Sequence, residues 1–326
     1  MTHAIRVHEL GGPDVLRWET ITTPVPGPGE ILVRTIAAGL NFIDTYFRAG
    51  HYHTPLPFTP GHEGAGVIEA LGLGVHGLRI GDHVAYVDPI GTYAERLVRP
   101  ADRVVRLPAS IAPIEAAAMM LKGLTAEYLL RRTYDVKAGD TILVHAAAGG
   151  VGQILCQWAA HLGATVIGTV GSEAKRAIAE SVGCTHVIVL GDQPFAPIVR
   201  GLTGGEGVAV VYDGVGAATF DQSIRSLKTR GLIVAFGAAS GPIPPIDVQT
   251  LNANGSLYLT RPSLGAYVRT HDELKQAAQA LFDVVSGGAI RIAPPRAYPL
   301  SNAAQAHRDL EGRTTTGSIV LVAGPD

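Results

Sequence analysis

Cysteine is scarce in this chain of 326 residues, with Cys156 and Cys184 the only two. Two thiols cannot build a disulfide scaffold; they are expected to be small buried residues in a reducing compartment. An excess of charge is missing too: 26 Lys and Arg stand against 28 Asp and Glu, a net charge of −2 at pH 7. Without a basic field, nucleic acid is not an expected partner. No run reaches the roughly 18 apolar residues of a membrane span, so no membrane association is expected. The opening stretch MTHAIRVHEL has no basic start followed by an apolar run, so no secretory signal is expected either, and the chain reads as cytoplasmic. There are no internal repeats or low-complexity tracts. A strict G-x-G-x-x-G is also absent, and what stands in its place is the most informative part of the chain.

Residues 142 to 175 read as strand, small-residue turn, helix, second strand and its tip. Thr141 to His145 is β-branched and apolar, as suits a strand buried on both faces. It runs into Ala146-Ala147-Ala148-Gly149-Gly150-Val151-Gly152, then an apolar-periodic helix over Gln153 to Leu162, stopped by Gly163, and a strand from Ala164 to Thr169. The pattern Ala146-x-x-Gly149-x-x-Gly152 is a variant of the dinucleotide fingerprint. Small residues let a pyrophosphate approach the backbone, and the helix N-terminus offers free N–H groups and a positive dipole end. The alternative is a parallel α/β domain whose glycines serve packing alone.

The tip of the second strand bears on the cofactor. Enzymes that use NAD usually place a carboxylate there to bond the ribose 2′-OH. Here the tip is Gly171-Ser172-Glu173-Ala174-Lys175-Arg176, with Gly171 in the acidic position. Ser172, Lys175 and Arg176 are suited to a 2′-phosphate, because the carboxylate repulsion is gone and charge-assisted bonds are gained. NADPH is therefore the expected cofactor. The alternative makes Glu173 the ribose ligand and the cations a solvated face.

Composition fits this reading, with 47% hydrophobic residues, 40 Gly and 21 Pro. The length suggests two domains. The first hundred residues carry short alternating runs broken by Gly and Pro, the mark of a turn-rich β domain. Pro113 to Arg132 reads as helix. From Asp140, strands are expected at 141–145, 164–169, 186–190, 208–212, 231–236 and 256–259, alternating at first with helices in an open parallel sheet. His271 to Ser286 reads as helix and Gly317 to Val322 as a closing strand.

The ordered motifs GHEGAG at 61–66, LKGLTA at 121–126 and HAAAGGVG at 145–152 resemble those of the medium-chain dehydrogenase/reductase superfamily. Within it, NFIDTYFRAGHY at 41–52, VVYDGVG at 210–216, GSLYLTRPSL at 255–264 and AHRDLEGRTTTGS at 306–318 resemble the zinc-free, zeta-crystallin-like NADPH:quinone oxidoreductases. The resemblance covers essentially the whole chain. It implies an α/β protein, a Rossmann doubly wound parallel sheet inserted in a GroES-like β-rich catalytic domain. Residues 1–122 and 265–326 would form the catalytic domain and 123–264 the Rossmann domain, with the active site in the cleft between them.

Zinc alcohol dehydrogenases of the superfamily place a Cys just past the position of Asn41, a His-Glu pair, and another Cys before the Rossmann domain. This chain keeps His62-Glu63 but has no Cys before residue 156, and it lacks the four-Cys lobe. A metal-free protein is expected. Without a Lewis acid, a quinone suits the site, because it is electron-poor and spreads the arriving charge over two oxygens. An activated C=C bond, as in an enone or alkenal, is the rival substrate, and a non-catalytic NADPH-binding role is the rival class.

By resemblance, Asn41 and Thr125 are candidates to bond the nicotinamide carboxamide or ribose, and Lys122 a ribose hydroxyl or the backbone. Tyr46, a neutral donor near pH 7, is the candidate to donate to a quinone oxygen; the plainer reading has it packing with its hydroxyl in water. Gly149, Gly150 and Val151 would face the pyrophosphate, and Gly171, Ser172 and Lys175 the 2′-phosphate. Phe236, Gly237, Leu259 and Arg261 would border the nicotinamide half, and Arg313 would reach the 2′-phosphate. Leu190 stands where family members usually carry a Tyr near the adenine, which weakens the preference for NADPH. The apolar edge near Leu257 to Thr260 is expected to be covered in a homodimer.

Overall fold

The computed structural model describes residues 1–312 and 314–324. It divides into two compact units, the first of residues 1–122, 268–286 and 292–326, the second of residues 123–267 and 287–291.

The first unit is built on antiparallel strands. β1 (Thr2–Arg6) and β2 (Arg17–Ile21) form a two-stranded ribbon, and β3 (Glu30–Leu40) begins a larger sheet. The helix α1 (Phe42–Ala49) follows at once. Its start is set by Asn41, whose extended backbone places its N–H 2.8 Å from Asp44 Oδ2 at the third helical position. That carboxylate also lies at the positive end of the helix dipole. Gly50, at φ +85°, ends α1, because the left-handed turn costs a glycine nothing.

β4 (Glu63–Leu71), β5 (His83–Val87), β6 (Arg96–Pro100) and β7 (Val104–Arg106) complete the amino-terminal strands. The helix α2 (Pro113–Tyr128) then crosses the boundary between the units in sequence. It ends in a π-helical stretch, Leu129–Thr133, where a single α-helix to residue 132 is expected from the pattern.

The second unit alternates strand and helix: β8 (Thr141–Val144), α3 (Gly150–His161), β9 (Thr165–Val170), α4 (Arg176–Ser181), β10 (His186–Val189), α5 (Ala196–Leu202), β11 (Val208–Asp213), α6 (Phe220–Ser226), β12 (Leu227–Ala235), α7 (Gln249–Ala253), β13 (Tyr258–Thr260) and α8 (Leu264–Tyr267). All five strand pairings are parallel, in the order β10-β9-β8-β11-β12-β13. This is the doubly wound order whose direction reverses between β8 and β11, the place where such sheets take a dinucleotide. Leu143, Ile167, Val199, Val211, Phe220 and Ile233 fill its core. β12 begins four residues before its expected start at 231 and ends at Ala235, so Phe236 and Gly237 lie just beyond it rather than at its end.

The chain closes with α9 (His271–Ser286), β14 (Arg296–Pro299), α10 (Ala303–Glu311) and β15 (Ile319–Val322). β15 pairs antiparallel with β3 and parallel with β14, and the larger sheet runs β14-β15-β3-β4-β5-β7, with β6 also on β3. Ile31, Val33, Ile68, Val84 and Leu97 pack one core of this unit, and Ile5, Leu40, Phe58, Tyr93, Ile319 and Leu321 another. Each such side chain contributes about 1.5–3 kcal/mol on burial. Among the described residues, no helix is long and apolar enough to cross a membrane.

Candidate functional site

In the first unit, two fully buried carboxylates organise the residues around α1. Glu63, at the start of β4, accepts bonds from Asn41 Nδ2 at 2.8 Å, from the Leu121 N–H at 2.6 Å and from the Lys122 ammonium. Gly39 makes room for it: a Cβ there would lie 2.3 Å from Glu63 Oε1 and 2.3 Å from the Ala117 carbonyl. Lys122 is itself buried, so the ion pair is dry and each charge depends on the other. Because Asn41 donates through its amide nitrogen, its side-chain oxygen is left as the acceptor.

Asp44, the second carboxylate, accepts from the Asn41 N–H, from His62 Nδ1 at 2.6 Å and from the Tyr93 hydroxyl at 3.0 Å. Burial pulls the His62 pKa down, but the hydrogen bond and charge of Asp44, helped by Asp88, outweigh it and leave it raised. Tyr93 also meets His307 Nε2 at 3.3 Å, and Arg48 donates to His307 Nδ1 at 3.1 Å and to Glu311 at 2.7 and 3.0 Å. Since Arg48 occupies Nδ1, His307 carries its proton on Nε2. Burial pushes its pKa down to about 4, with Asp44 and Glu311 opposing and Arg48 assisting. The chain of contacts runs from His62 to the closing helix α10 and fixes α1 at both ends. Tyr46 sits half-buried on α1, its ring against those of His51 and Tyr52.

In the second unit, the turn after β8 is tight and brings helix and turn backbone close together. Ala146 takes φ +52°, Gly149 caps α3, and Gly150 and Val151 open it. A Cβ on Gly152 would lie 2.2 Å from the Ala146 carbonyl, so only glycine lets helix and turn approach this closely. Gly171 and Ser172 are exposed just past β9, and a Cβ on Gly171 would meet nothing within 4 Å. Lys175 is half-buried one step further on. Arg176 is engaged elsewhere: it pairs with Glu173 and donates to the Val187 carbonyl at 2.9 Å. That pairing also occupies Glu173, the alternative ribose ligand. Leu190 packs against the core of the unit beside β10.

Phe236 and Gly237 follow β12, with the Phe236 N–H on the Asp213 carbonyl at 2.9 Å. A Cβ on Gly237 would lie 2.5 Å from the Gly214 carbonyl. Leu259 is on the edge strand β13, and Arg261, just after it, donates to the Pro262 carbonyl. The pyrophosphate and 2′-phosphate candidates of this unit thus follow the carboxyl ends of β8 and β9, and Phe236, Gly237 and Arg261 those of β12 and β13, while Leu259 lies within β13. Thr125, near the end of α2, is buried. Arg313 lies outside the described residues. Asn41 and Lys122 meet through Glu63, which the sequence pattern leaves as a structural or cleft-lining residue. The one signal for Asp44 is its place three residues after a helix-capping Asn; nothing in the sequence links His307 to it.

The alcohol dehydrogenase GroES-like domain model matches residues 27–109, and the zinc-binding dehydrogenase model matches residues 150–283. A quinone oxidoreductase of Pseudomonas aeruginosa is 46% identical, covering 99% of this chain and 100% of its own length. A 2-haloacrylate reductase of Burkholderia is 44% identical, covering 99% of each. A mycobacterial protein solved in complex with NADPH is 50% identical over 98% of this chain and 99% of its own, with a TM-score of 0.96.

The description of the second model raises zinc, and the donors do not fit it. Catalytic zinc takes three protein ligands, usually imidazole and thiolate. Here His62, with Nδ1 on Asp44, keeps Nε2 as its one ligating nitrogen, but Glu63 beside it is committed to Asn41, Leu121 and Lys122, which leaves a single imidazole where three ligands are needed. Both thiols lie in the second unit, buried with their sulfurs 3.5 Å apart and the Cys156 pKa pushed up by the contact with Cys184 and by burial. Among the described residues, no three of His, Cys, Asp and Glu are grouped to hold a metal ion.

Proposed function

The chain belongs to the quinone oxidoreductase family of the medium-chain dehydrogenase/reductase superfamily, and from that premise we propose that it is a zinc-independent reductase that passes reducing equivalents from NADPH to a quinone. It is an enzyme, and NADPH is its cofactor. The observation that carries the metal-free reading is the Glu63 cluster: the carboxylate beside the retained histidine is consumed by an ammonium, an amide and a backbone N–H. With those donors spent, the acceptor must take hydride without a Lewis acid, which suits a quinone.

NADPH supplies the hydride when bound. The turn from Ala146 through Gly152 fits its pyrophosphate, since a Cβ at Gly152 would collide with the backbone and the start of α3 presents free N–H groups. Gly171, Ser172 and Lys175 receive the 2′-phosphate, and Arg313 adds a second cation. Phe236, Gly237, Leu259 and Arg261 border the nicotinamide half. On the first unit, Asn41 offers its side-chain oxygen to the carboxamide or ribose, Lys122 offers its remaining ammonium protons, and Tyr46 donates to the quinone oxygen. Thr125 is a further candidate for the carboxamide or ribose. We further propose a cytoplasmic homodimer joined at β13.

The rival reading, reduction of an activated C=C bond, gains support from the Burkholderia relative, named for its action on 2-haloacrylate. Initial rates of NADPH oxidation with 1,4-benzoquinone and with 2-cyclohexen-1-one separate the two. The quinone reading predicts that the quinone is the faster substrate by at least an order of magnitude in kcat/KM; a faster enone contradicts it.

A further inference from the structure

A second buried polar network lies directly beneath the point where the parallel sheet reverses, and none of the cofactor candidates belongs to it. His145 follows β8 and is wholly buried. Its Nδ1 lies 2.8 Å from Thr169 Oγ1 on β9, and its Nε2 lies 2.8 Å from Ser223 Oγ on α6. Ser223 Oγ is in turn 2.9 Å from Asp213 Oδ2, the last residue of β11. Asp213 also accepts from the Val215 and Gly216 N–H groups, each at 2.9 Å, and from Thr219 Oγ1.

The order of donors follows from valence. Asp213 and the Thr219 carbonyl, each 2.9 Å from Ser223 Oγ, are only acceptors, so the Ser223 proton is shared between them and Ser223 accepts from His145 Nε2–H; His145 Nδ1 then accepts from Thr169. The imidazole is neutral in this arrangement. Burial lowers its pKa, against the opposing pull of Asp213, which holds it neutral near pH 7.

Each member is tied to a loop at the crevice. His145 immediately precedes Ala146, whose left-handed backbone starts the phosphate turn. Its N–H reaches the Tyr212 carbonyl on β11, while the Ala147 N–H reaches the Thr169 carbonyl on β9. Asp213 folds the Gly214–Gly216 loop back on itself. The adjacent strands β9, β8 and β11 are thus cross-linked at their carboxyl ends, and both loops flanking the reversal are set by one chain of hydrogen bonds.

We propose that Thr169, His145, Ser223 and Asp213 are positioning residues for NADPH, fixing the phosphate turn and the Gly214–Gly216 loop in the conformation that binds it. The inference rests on the NADPH reading of the same turn. A loop held in its binding form before the ligand arrives loses less freedom on binding, so the network acts on affinity rather than on the reaction step.

Three variants test it, Thr169→Val, Thr169→Ser and Ser223→Ala, each read by fluorescence titration with NADPH, by kcat at saturating NADPH and by thermal unfolding. Ser223→Ala leaves His145 Nε2–H and Asp213 each short of a partner, and Thr169→Val leaves His145 Nδ1 without a donor. Both are expected to weaken NADPH binding about tenfold, with kcat within about twofold of the parent. Thr169→Ser, which restores the hydroxyl, is expected to bind within about twofold of the parent. Folded variants with a lowered melting temperature and unchanged affinity would reduce the network to a structural role and overturn the proposal, as would loss of kcat at unchanged affinity. If the unmodified protein itself fails to bind NADPH, the cofactor reading falls instead.

Discussion

At the scale of single residues, Glu63 bears the most consequence. It is fully buried and neutralises a buried ammonium, so Glu63→Gln strands the Lys122 charge in the dry interior. Breaking one partner of such a pair costs about 3–5 kcal/mol, and a urea titration should show a loss of that size together with a raised KM for NADPH. An unshifted midpoint would mean that Lys122 finds water or another partner. Tyr46 carries a prediction of a different kind. If its phenol donates to the quinone oxygen, Tyr46→Phe lowers kcat with 1,4-benzoquinone at least about tenfold while leaving NADPH affinity near the parent value. An unchanged kcat would reduce Tyr46 to a packing role against His51 and Tyr52.

At the scale of elements, the sequence and the structure agree best where periodicity is strong. The βαβ unit from Thr141 to Val170 is legible because a buried strand, a small-residue turn and an amphipathic helix each leave a separate mark. β12 is less so: after the buried Leu227, residues Lys228, Thr229 and Arg230 are exposed and polar, and the register with β11 breaks across them. The tight small-residue turn after β8 is legible in the sequence, and the buried carboxylate network around α1 is not. Asp44 and His307 are 263 positions apart in sequence, as are Arg48 and Glu311, so no local pattern links them. Tyr93, whose hydroxyl meets both Asp44 and His307, shows in sequence only as a turn-region aromatic. The edge strand β13 carries an element-scale prediction. Tyr258 is 61% exposed on it, and among the described residues no further strand pairs with its outer edge. Charged side chains on an edge oppose pairing, so Tyr258→Lys should shift a dimer toward monomer in sedimentation at micromolar concentration. A parent protein already monomeric there would refute the β13 interface.

At the scale of the whole molecule, the buried histidines set how stability responds to acid. His307 titrates near 6.5 when unfolded and at about 4 in the fold, where it faces Tyr93, Asp44, Arg48 and Glu311. The unfolded chain therefore binds the extra proton between these values. The stability from neutral His307 is full above pH 6.5 and is lost as pH falls toward 4, at up to about 1.4 kcal/mol per pH unit. His145, lowered by burial, acts in the same direction. His62, raised on balance by Asp44, acts oppositely: its contribution is full below 6.5 and fades as pH rises through its folded value. Urea midpoints at pH 7 and pH 5 should fall on acidification, and His307→Gln should flatten that fall; a midpoint that rises from pH 7 to 5 would contradict the assignment.

The central claim joins a 2′-phosphate site at the tip of β9 to chemistry without zinc, and one set of initial rates reaches both parts. Oxidation of NADPH and of NADH is followed with 1,4-benzoquinone, with and without a strong chelator. The account predicts turnover that favours NADPH and is indifferent to the chelator. A preference for NADH would show that Leu190 outweighs Lys175 and Arg313, and turnover lost to the chelator would contradict the reading of the Glu63 cluster.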